Sequence, residues 1–192
     1  MSKDTNADAD VIVVGAGFAG MYAIYRFRKA GLNVKVLEAG SDVGGTWYWN
    51  RYPGARCDVP SIEYSFGFSP ELEQDWHWPE VFSAQPDILA YANHITERFD
   101  LRRDIQFNTR VSAVEYQDEQ NLWRLTTETG EIFSAKYCVM ATGCLSVPNR
   151  PHIDGEETFK GRTLHTGLWP KEEVDLTGLL VGVIGTGSSG VQ

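Results

Sequence analysis

The chain has 192 residues, of which 42% are hydrophobic and 22% charged, and its net charge at neutral pH is −9. A chain of that length buries roughly 70% of its unfolded surface, enough for one large domain or for one domain and the start of another. The composition excludes a disordered chain, and the missing basic footprint excludes a nucleic-acid binder, which needs cations to displace phosphate counterions.

Residues 1–9 are polar and are expected to form a disordered tail. Residues 10–15 (DVIVVG) are a short apolar, β-branched run, the pattern of a buried parallel strand. From Phe18 to Ala30 the period becomes helical, with Ala19, Tyr22, Ala23, Phe27 and Ala30 predicted on one inward stripe. Gly31 suits the helix end, and residues 33–37 read as the next strand. Strand, helix and strand over residues 10–39 make a βαβ unit. The apolar run at residues 11–24 is too short to span a bilayer and follows an acidic start, so no membrane or targeting segment is expected.

Residues 40–60 show little periodicity and many Gly, Trp and Tyr residues, and a loop of that length inside a domain is expected to be functional. Residues 86–99 read as an amphipathic helix with Pro86 in its first turn and Ile88, Ala92, Ile95 and Phe99 inward. Residues 111–116, 122–127 and 131–134 alternate around turn signals, which predicts an antiparallel meander. Residues 136–143 (KYCVMATG) return to a buried strand, and Pro148 and Pro151 mark a domain crossing. Residues 179–185 (LLVGVIG) then repeat the opening strand pattern. The sequence ends just inside the helix that should follow, as expected of part of a longer protein. The predicted fold class is α/β. A Rossmann-like, three-layer dinucleotide domain with an inserted meander covers residues 10–145. Residues 146–192 form a linker and the start of a second such domain.

The first chemical motif is Gly15-Ala16-Gly17-Phe18-Ala19-Gly20. Gly15 permits the tight turn, Gly17 the approach of backbone to a pyrophosphate, and Gly20 close packing of helix on strand. The helix N-terminus offers amide donors and a positive dipole end to the phosphates. Glu38, at the end of the second strand, is placed to accept ribose hydroxyls and disfavours a 2′-phosphate, so FAD or NAD is preferred over NADP there. The second motif is Gly185-Thr186-Gly187-Ser188-Ser189-Gly190, followed by Val191 and Gln192. Two such motifs fit an enzyme that brings a flavin together with its nicotinamide reductant. Cys57, Cys138 and Cys144 lack CxxC or Cys/His spacing, which points to reduced thiols in a cytoplasmic protein and to no metal site.

Three further motifs carry a family resemblance. Phe159, Gly161, His165, Trp169 and Pro170 complete an FxGxxxHxxxWP fingerprint; Gly44-Gly45-Thr46-Trp47, Tyr52-Pro53-Gly54 and Asp58 form an upstream signature; Ala141-Thr142-Gly143 is a linking segment. In these the chain resembles Baeyer–Villiger monooxygenases over nearly all of its length after residue 9. Residues 44–58 look most like the phenylacetone and steroid monooxygenase branch. The resemblance implies an FAD- and NADPH-dependent enzyme that inserts one oxygen atom of O2 beside the carbonyl of a ketone. It would give an ester or lactone by way of a C4a-peroxyflavin. It also implies roles for single residues. Gly15, Gly17, Phe18, Ala19 and Gly20 would hold the FAD pyrophosphate and Glu38 its ribose. Thr46 and Trp47 would line the flavin with Tyr64 near it, and Val111 would lie by the adenine. Arg56, Cys57 and Asp58 would face flavin and nicotinamide, with Asp58 orienting an arginine near the reacting carbon; an Asx-type turn is the plainer role for that aspartate. Thr186, Gly187, Ser188, Ser189, Gly190, Val191 and Gln192 would begin the NADPH pyrophosphate site.

His165 has no Ser, Cys or metal-ligand partner at matching spacing, which favours a hydrogen bond to linker backbone over a general base. His77, His94 and His152 read as surface or loop residues, and Trp47, Tyr48, Trp49 and Tyr52 as a flavin wall rather than plain core. Three alternatives stay open: an N-hydroxylating or flavin-containing monooxygenase, a flavin disulfide reductase, which would need a CxxC pair, and a non-catalytic partial binding module. The isolated chain is expected to be inactive.

Overall fold

The computed structural model of the chain describes residues 7–192. It divides into two compact units, one made of the chain up to Tyr48 with Ala92–Cys144, the other of Trp49–Tyr91 with Leu145–Gln192.

The first unit is built on a six-stranded sheet. Its strands are β1 (Ala9–Val14), β2 (Val34–Leu37), β3 (Ile105–Gln106), β4 (Val111–Gln117), β5 (Leu122–Thr127) and β6 (Ile132–Met140), in the order β3-β2-β1-β6-β5-β4. The apolar β-branched run at the start of the chain becomes β1, which pairs in parallel with β2 on one side and β6 on the other. Val11, Ile12 and Val13 are fully buried there, as the uninterrupted apolar pattern requires. Ala9 already belongs to β1, and the Asp8 carboxylate accepts the Ser134 backbone N–H at 2.7 Å and its hydroxyl at 2.9 Å. Asp8 and Ala9 are therefore not part of a disordered tail; the rest of that expectation, residues 1–6, lies outside the described residues.

The meander and the following buried strand prove to share one element. β6 runs without a turn, and Ala135 pairs with Trp123 of β5 on one side and with Ala9 of β1 on the other. Its first half closes the antiparallel meander and its second half extends the parallel sheet. Burial differs from expectation, because Tyr137 and Met140 are 60% and 58% exposed.

The crossover helix α1 (Phe18–Lys29) buries Gly20, Met21 and Ile24, not the stripe of Ala19, Tyr22, Ala23, Phe27 and Ala30. Gly20 sets the phase: a Cβ there would collide with the carbonyl oxygen of Gly15, so this position must face the strand. The loop helix α2 (Thr46–Trp49) precedes α3 (Pro70–Asp75) and α4 (Gln85–Arg98). In α4 the expected face is buried at Ile88, Ala92 and Ile95, joined by Tyr91 and Thr96, and Pro86 lies in the first turn. The Thr96 hydroxyl reaches the Met21 sulfur at 3.3 Å, joining α4 to α1. Arg28 ties the same pair: it bonds Asp104 and donates to the carbonyls of Phe99 and Asp100 just beyond α4.

The second unit has short elements around an aromatic cluster. Tyr91 lies 4.9 Å from the Trp78 ring and 5.2 Å from Trp76, and its hydroxyl accepts the Phe66 N–H at 2.7 Å. Burial pushes the pKa of that phenol up. The predicted strand at residues 179–185 is not formed. No strand among the described residues pairs with it, and Leu180 and Ile184 are 104% and 80% exposed. An apolar run without a ladder partner has nothing to satisfy its peptide groups as a strand. The helix after it, α5 (Ser188–Val191), is present.

Candidate functional site

In the first unit the chain leaves β1 through Gly15, whose φ of +104° and close approach to Ala141, 2.6 Å from a hypothetical Cβ to its carbonyl oxygen, leave no room for a side chain. Gly17 stands at the N-cap of α1, which has no side-chain cap and no acidic residue in its first turn. Its Cα side faces Gly45 of the following loop. A Cβ on Gly45 would come within 2.9 Å of the Gly17 Cα, and one on Gly17 within 3.4 Å of Gly45. Gly44 donates its N–H to the Ala16 carbonyl at 3.1 Å and joins the two glycine loops. Phe18 is half-buried and Ala19 exposed.

Glu38 is buried at the end of β2, 5% exposed. One carboxylate oxygen accepts the Ala16 N–H at 2.6 Å and the other the Gly40 N–H at 2.6 Å. Its own backbone is held by the Gln106 carbonyl and the Thr109 N–H. The carboxylate thus staples the phosphate-type loop to the loop after β2, and each oxygen keeps a second lone pair for a hydroxyl donor. An uncapped helix start of this length, with glycine walls and a buried carboxylate beside it, fits a dinucleotide pyrophosphate and its ribose.

Within the same unit Trp47 and Tyr48 are buried at 7% each, whereas Thr46 is exposed. The Tyr48 hydroxyl bonds Ser41, and its ring lies under Gly40. Tyr48 is thus core of the loop. Val111 begins β4 at the sheet edge, with β5 and β6 between it and β1.

In the second unit, residues 52–58 form a two-faced strip. Ala55 and Cys57 are buried, and the strip is tied to residues 83–85 by Cys57 N–H to the Ser83 carbonyl and Gln85 N–H to the Ala55 carbonyl. The buried hydroxyls of Ser61 and Ser83 meet at 2.8 Å behind it. Arg56 and Asp58 are exposed; Arg56 pairs with Glu80 at 3.1 Å, and Asp58 accepts from Ser188 at 3.5 Å. Tyr64 ends the 3-10 turn Ser61–Tyr64, half-buried. In the second glycine motif Thr186, Gly187, Ser188, Ser189, Gly190 and Val191 are exposed and Gln192 half-buried.

The fingerprint forms a compact turn. His165 Nδ1 accepts the Gly167 N–H at 3.1 Å, and Nε2 stands 3.2 Å from the Asn149 carbonyl. A neutral ring with its proton on Nε2 satisfies both contacts, in line with a structural histidine. The Phe159 ring lies over Gly161, where a Cβ would come within 2.5 Å of it, and Trp169 and Pro170 are half-buried. His94, read as a surface or loop residue, sits half-buried in α4; His77 and His152 are exposed.

Gly45 belongs to the upstream signature, but its approach to Gly17 and that of Gly40 to Tyr48 have no assignment in the sequence, although the Gly44-Gly45 doublet signals a close backbone approach. The alternation of residues 52, 54, 56 and 58 was equally legible as a period of two. The three cysteines are free thiols, and burial pushes the Cys138 thiol pKa up. Among the described residues no helix is long and apolar enough to cross a membrane, and no three His, Cys, Asp or Glu residues gather as a metal site would need.

Residues 12–192 match the family described as pyridine nucleotide-disulphide oxidoreductase. A Baeyer–Villiger monooxygenase of Pseudooceanicola batsensis is 47% identical over 192 residues, 100% of this chain and 35% of that protein. A phenazine N-monooxygenase of Lysobacter antibioticus is 45% identical over 184 residues, 95% of this chain and 34% of that one. A solved oxidized steroid monooxygenase bound to NADP superposes with a TM-score of 0.89 and 58% identity, over 96% of this chain and 35% of that one. The chain spans about a third of the length of the relatives it matches.

Proposed function

The chain belongs to the pyridine nucleotide-disulphide oxidoreductase family, and from that premise we propose that it is the FAD-binding part of a Baeyer–Villiger monooxygenase. The full-length protein would use FAD, NADPH and O2 to convert a ketone into an ester or lactone. The observation that carries this reading is the cradle of Gly15, Gly17 and Gly45 closed by the buried Glu38 carboxylate, in a chain 47% identical to a Baeyer–Villiger monooxygenase.

Bound FAD supplies the redox chemistry, accepting hydride from the nicotinamide and activating oxygen. The chain's own residues bind and orient. Gly15, Gly17, Phe18, Ala19 and Gly20 present the backbone N–H groups of the α1 start to the pyrophosphate, and Glu38 offers its free lone pairs to the ribose while it holds Ala16 and Gly40. Thr46 and Trp47 would line the flavin and Val111 would lie toward the adenine; Tyr64 and Arg56 would face flavin and nicotinamide, whereas Cys57, buried on the inner face of its strip, would support that strip from behind. Asp58 would orient a cation supplied from elsewhere in the full-length protein, whose charge would offset negative charge developing at the reacting centre. Residues 186–192 seat the NADPH pyrophosphate. The fingerprint histidine, His165, holds the linker turn and moves no proton. A cytoplasmic location is proposed on the unpaired thiols, and a role without nucleic acid on the charge of −9.

A second reading, oxygenation at nitrogen, is favoured by the 45% identity to a phenazine N-monooxygenase. One experiment separates the two. The full-length protein, purified with its flavin, is given NADPH, O2 and either a ketone or an aromatic N-heterocycle, and products are identified by mass. Ester or lactone supports the proposal; N-oxide without ester overturns it in favour of the second reading, and NADPH-dependent disulfide reduction alone overturns both.

A further inference from the structure

Residues 52–58 alternate in what they meet. Ala55 and Cys57 turn inward and are buried at 4% and 3%. Tyr52, Gly54, Arg56 and Asp58 meet the second glycine motif. The Tyr52 hydroxyl is 2.7 Å from Gln192 Oε1 and 3.1 Å from Ser189 Oγ. Gln192 Nε2 donates to the Arg56 carbonyl at 3.0 Å, and Ser188 reaches Asp58 at 3.5 Å. At Gly54, with φ of +82°, a Cβ would collide with the Gln192 carbonyl oxygen. Four alternate positions of one strip therefore meet three residues of one helical turn, across some 130 to 140 residues of sequence.

The side-chain amide of Gln192 is oriented at both ends. Its oxygen accepts from a phenol and its nitrogen donates to a carbonyl, so the flipped amide would set oxygen against the Arg56 carbonyl. Arg56 and Asp58 belong to the segment assigned above to flavin and nicotinamide, and Ser188, Ser189 and Gln192 to the loop assigned to NADPH. We propose that Tyr52 is a positioning residue for the second dinucleotide loop. Acting through Gln192, its hydroxyl fixes the loop's register against the Arg56–Asp58 backbone, and so how well NADPH is held. This inference rests on the reading that the second glycine loop binds NADPH.

The test is a double-mutant cycle in the full-length, flavin-loaded protein, with NADP+ affinity measured by calorimetry in Tyr52→Phe, Gln192→Leu and the double variant. Flavin content and thermal midpoint are recorded alongside. Tyr52→Phe, which keeps the ring and removes only the hydroxyl, is expected to weaken NADP+ binding roughly fivefold, the effect of losing one hydrogen bond, with little change in thermal midpoint. In the Gln192→Leu background the same substitution is expected to cost clearly less, because only the longer contact to Ser189, at 3.1 Å, is left to lose. Wild-type affinity in Tyr52→Phe, or an equal loss in both backgrounds, overturns the positioning role. A wild-type protein that holds flavin but does not bind NADP+ overturns the reading of the loop itself, and the role of Tyr52 with it.

Discussion

The two glycine motifs have the same local geometry and opposite fates. Gly15 and Gly185 have φ of +104° and +119°, and Gly17 and Gly187 cap their helices with φ of −75° and −76°. Hypothetical Cβ atoms on Gly20 and Gly190 both meet the carbonyl oxygen of the motif's first glycine and, at 3.9 Å, the valine two residues before it. Yet the first motif leaves a strand paired on both sides, while the second follows a run that is exposed and pairs with no strand among the described residues. The turn is local and written into the glycines; the strand is a tertiary product that needs neighbours.

The largest expected effect sharpens that contrast. Gly20→Ala is expected to destabilise the protein by about 3 kcal/mol, since the new methyl meets backbone between two packed layers. Gly190→Ala should cost less than about 0.5 kcal/mol, because the exposed turn can relax. Thermal unfolding of the two variants decides it, and equal shifts would erase the contrast. Next comes Glu38, the staple of the first motif. Glu38→Ala leaves the Ala16 and Gly40 N–H groups buried without their acceptor and is expected to cost about 2 kcal/mol in chemical denaturation. No change would mean that the two 2.6 Å bonds contribute nothing net.

Thiol reactivity probes the same contrast between sheet and exposed chain. Cys144 is exposed, Cys138 is in β6 with its pKa raised by burial, and Cys57 is buried. A thiol-specific reagent is expected to label Cys144 first and Cys57 last; early labelling of Cys138 would show that β6 opens. The smallest effect concerns Asp10, which pins β1 between its neighbours. The Asn33 N–H, and then Lys136, hold its carboxyl below the usual carboxylate range. A depressed folded pKa stabilises above the unfolded value of about 3.9, and that contribution fades as the pH falls through the folded value. Asp10→Asn is therefore expected to flatten the acid limb of a stability profile slightly and to lower stability slightly at neutral pH, by too little to move the midpoint far.

Much of the fold was legible where sequence determines structure locally. The βαβ unit, the face of α4 and the strands of the meander follow from periodicity. The phase of α1 was not, because hydrophobic pattern favoured Tyr22 and Phe27 while Gly20 was fixed by a backbone collision that no pattern displays. The continuity of β6 was hidden because Ala135 pairs on both sides, and a residue string shows no partners. At the candidate site the glycines and Glu38 stood out by spacing. The Glu38 staple, the Gly17–Gly45 approach and the seat of Gln192 on Tyr52 join segments far apart in the chain and became visible only in three dimensions.

The most direct measurement is the flavin content of the full-length protein and of its Gly17→Ala variant, with the thermal midpoint of each apoprotein as control. A Cβ at Gly17 has 3.4 Å to its nearest neighbour, so the fold has room for it, whereas a pyrophosphate lying on that backbone does not. One FAD per wild-type chain, its loss from the variant and matching midpoints are the predicted result. Equal FAD in both proteins would contradict the assignment of the first glycine motif as its cradle.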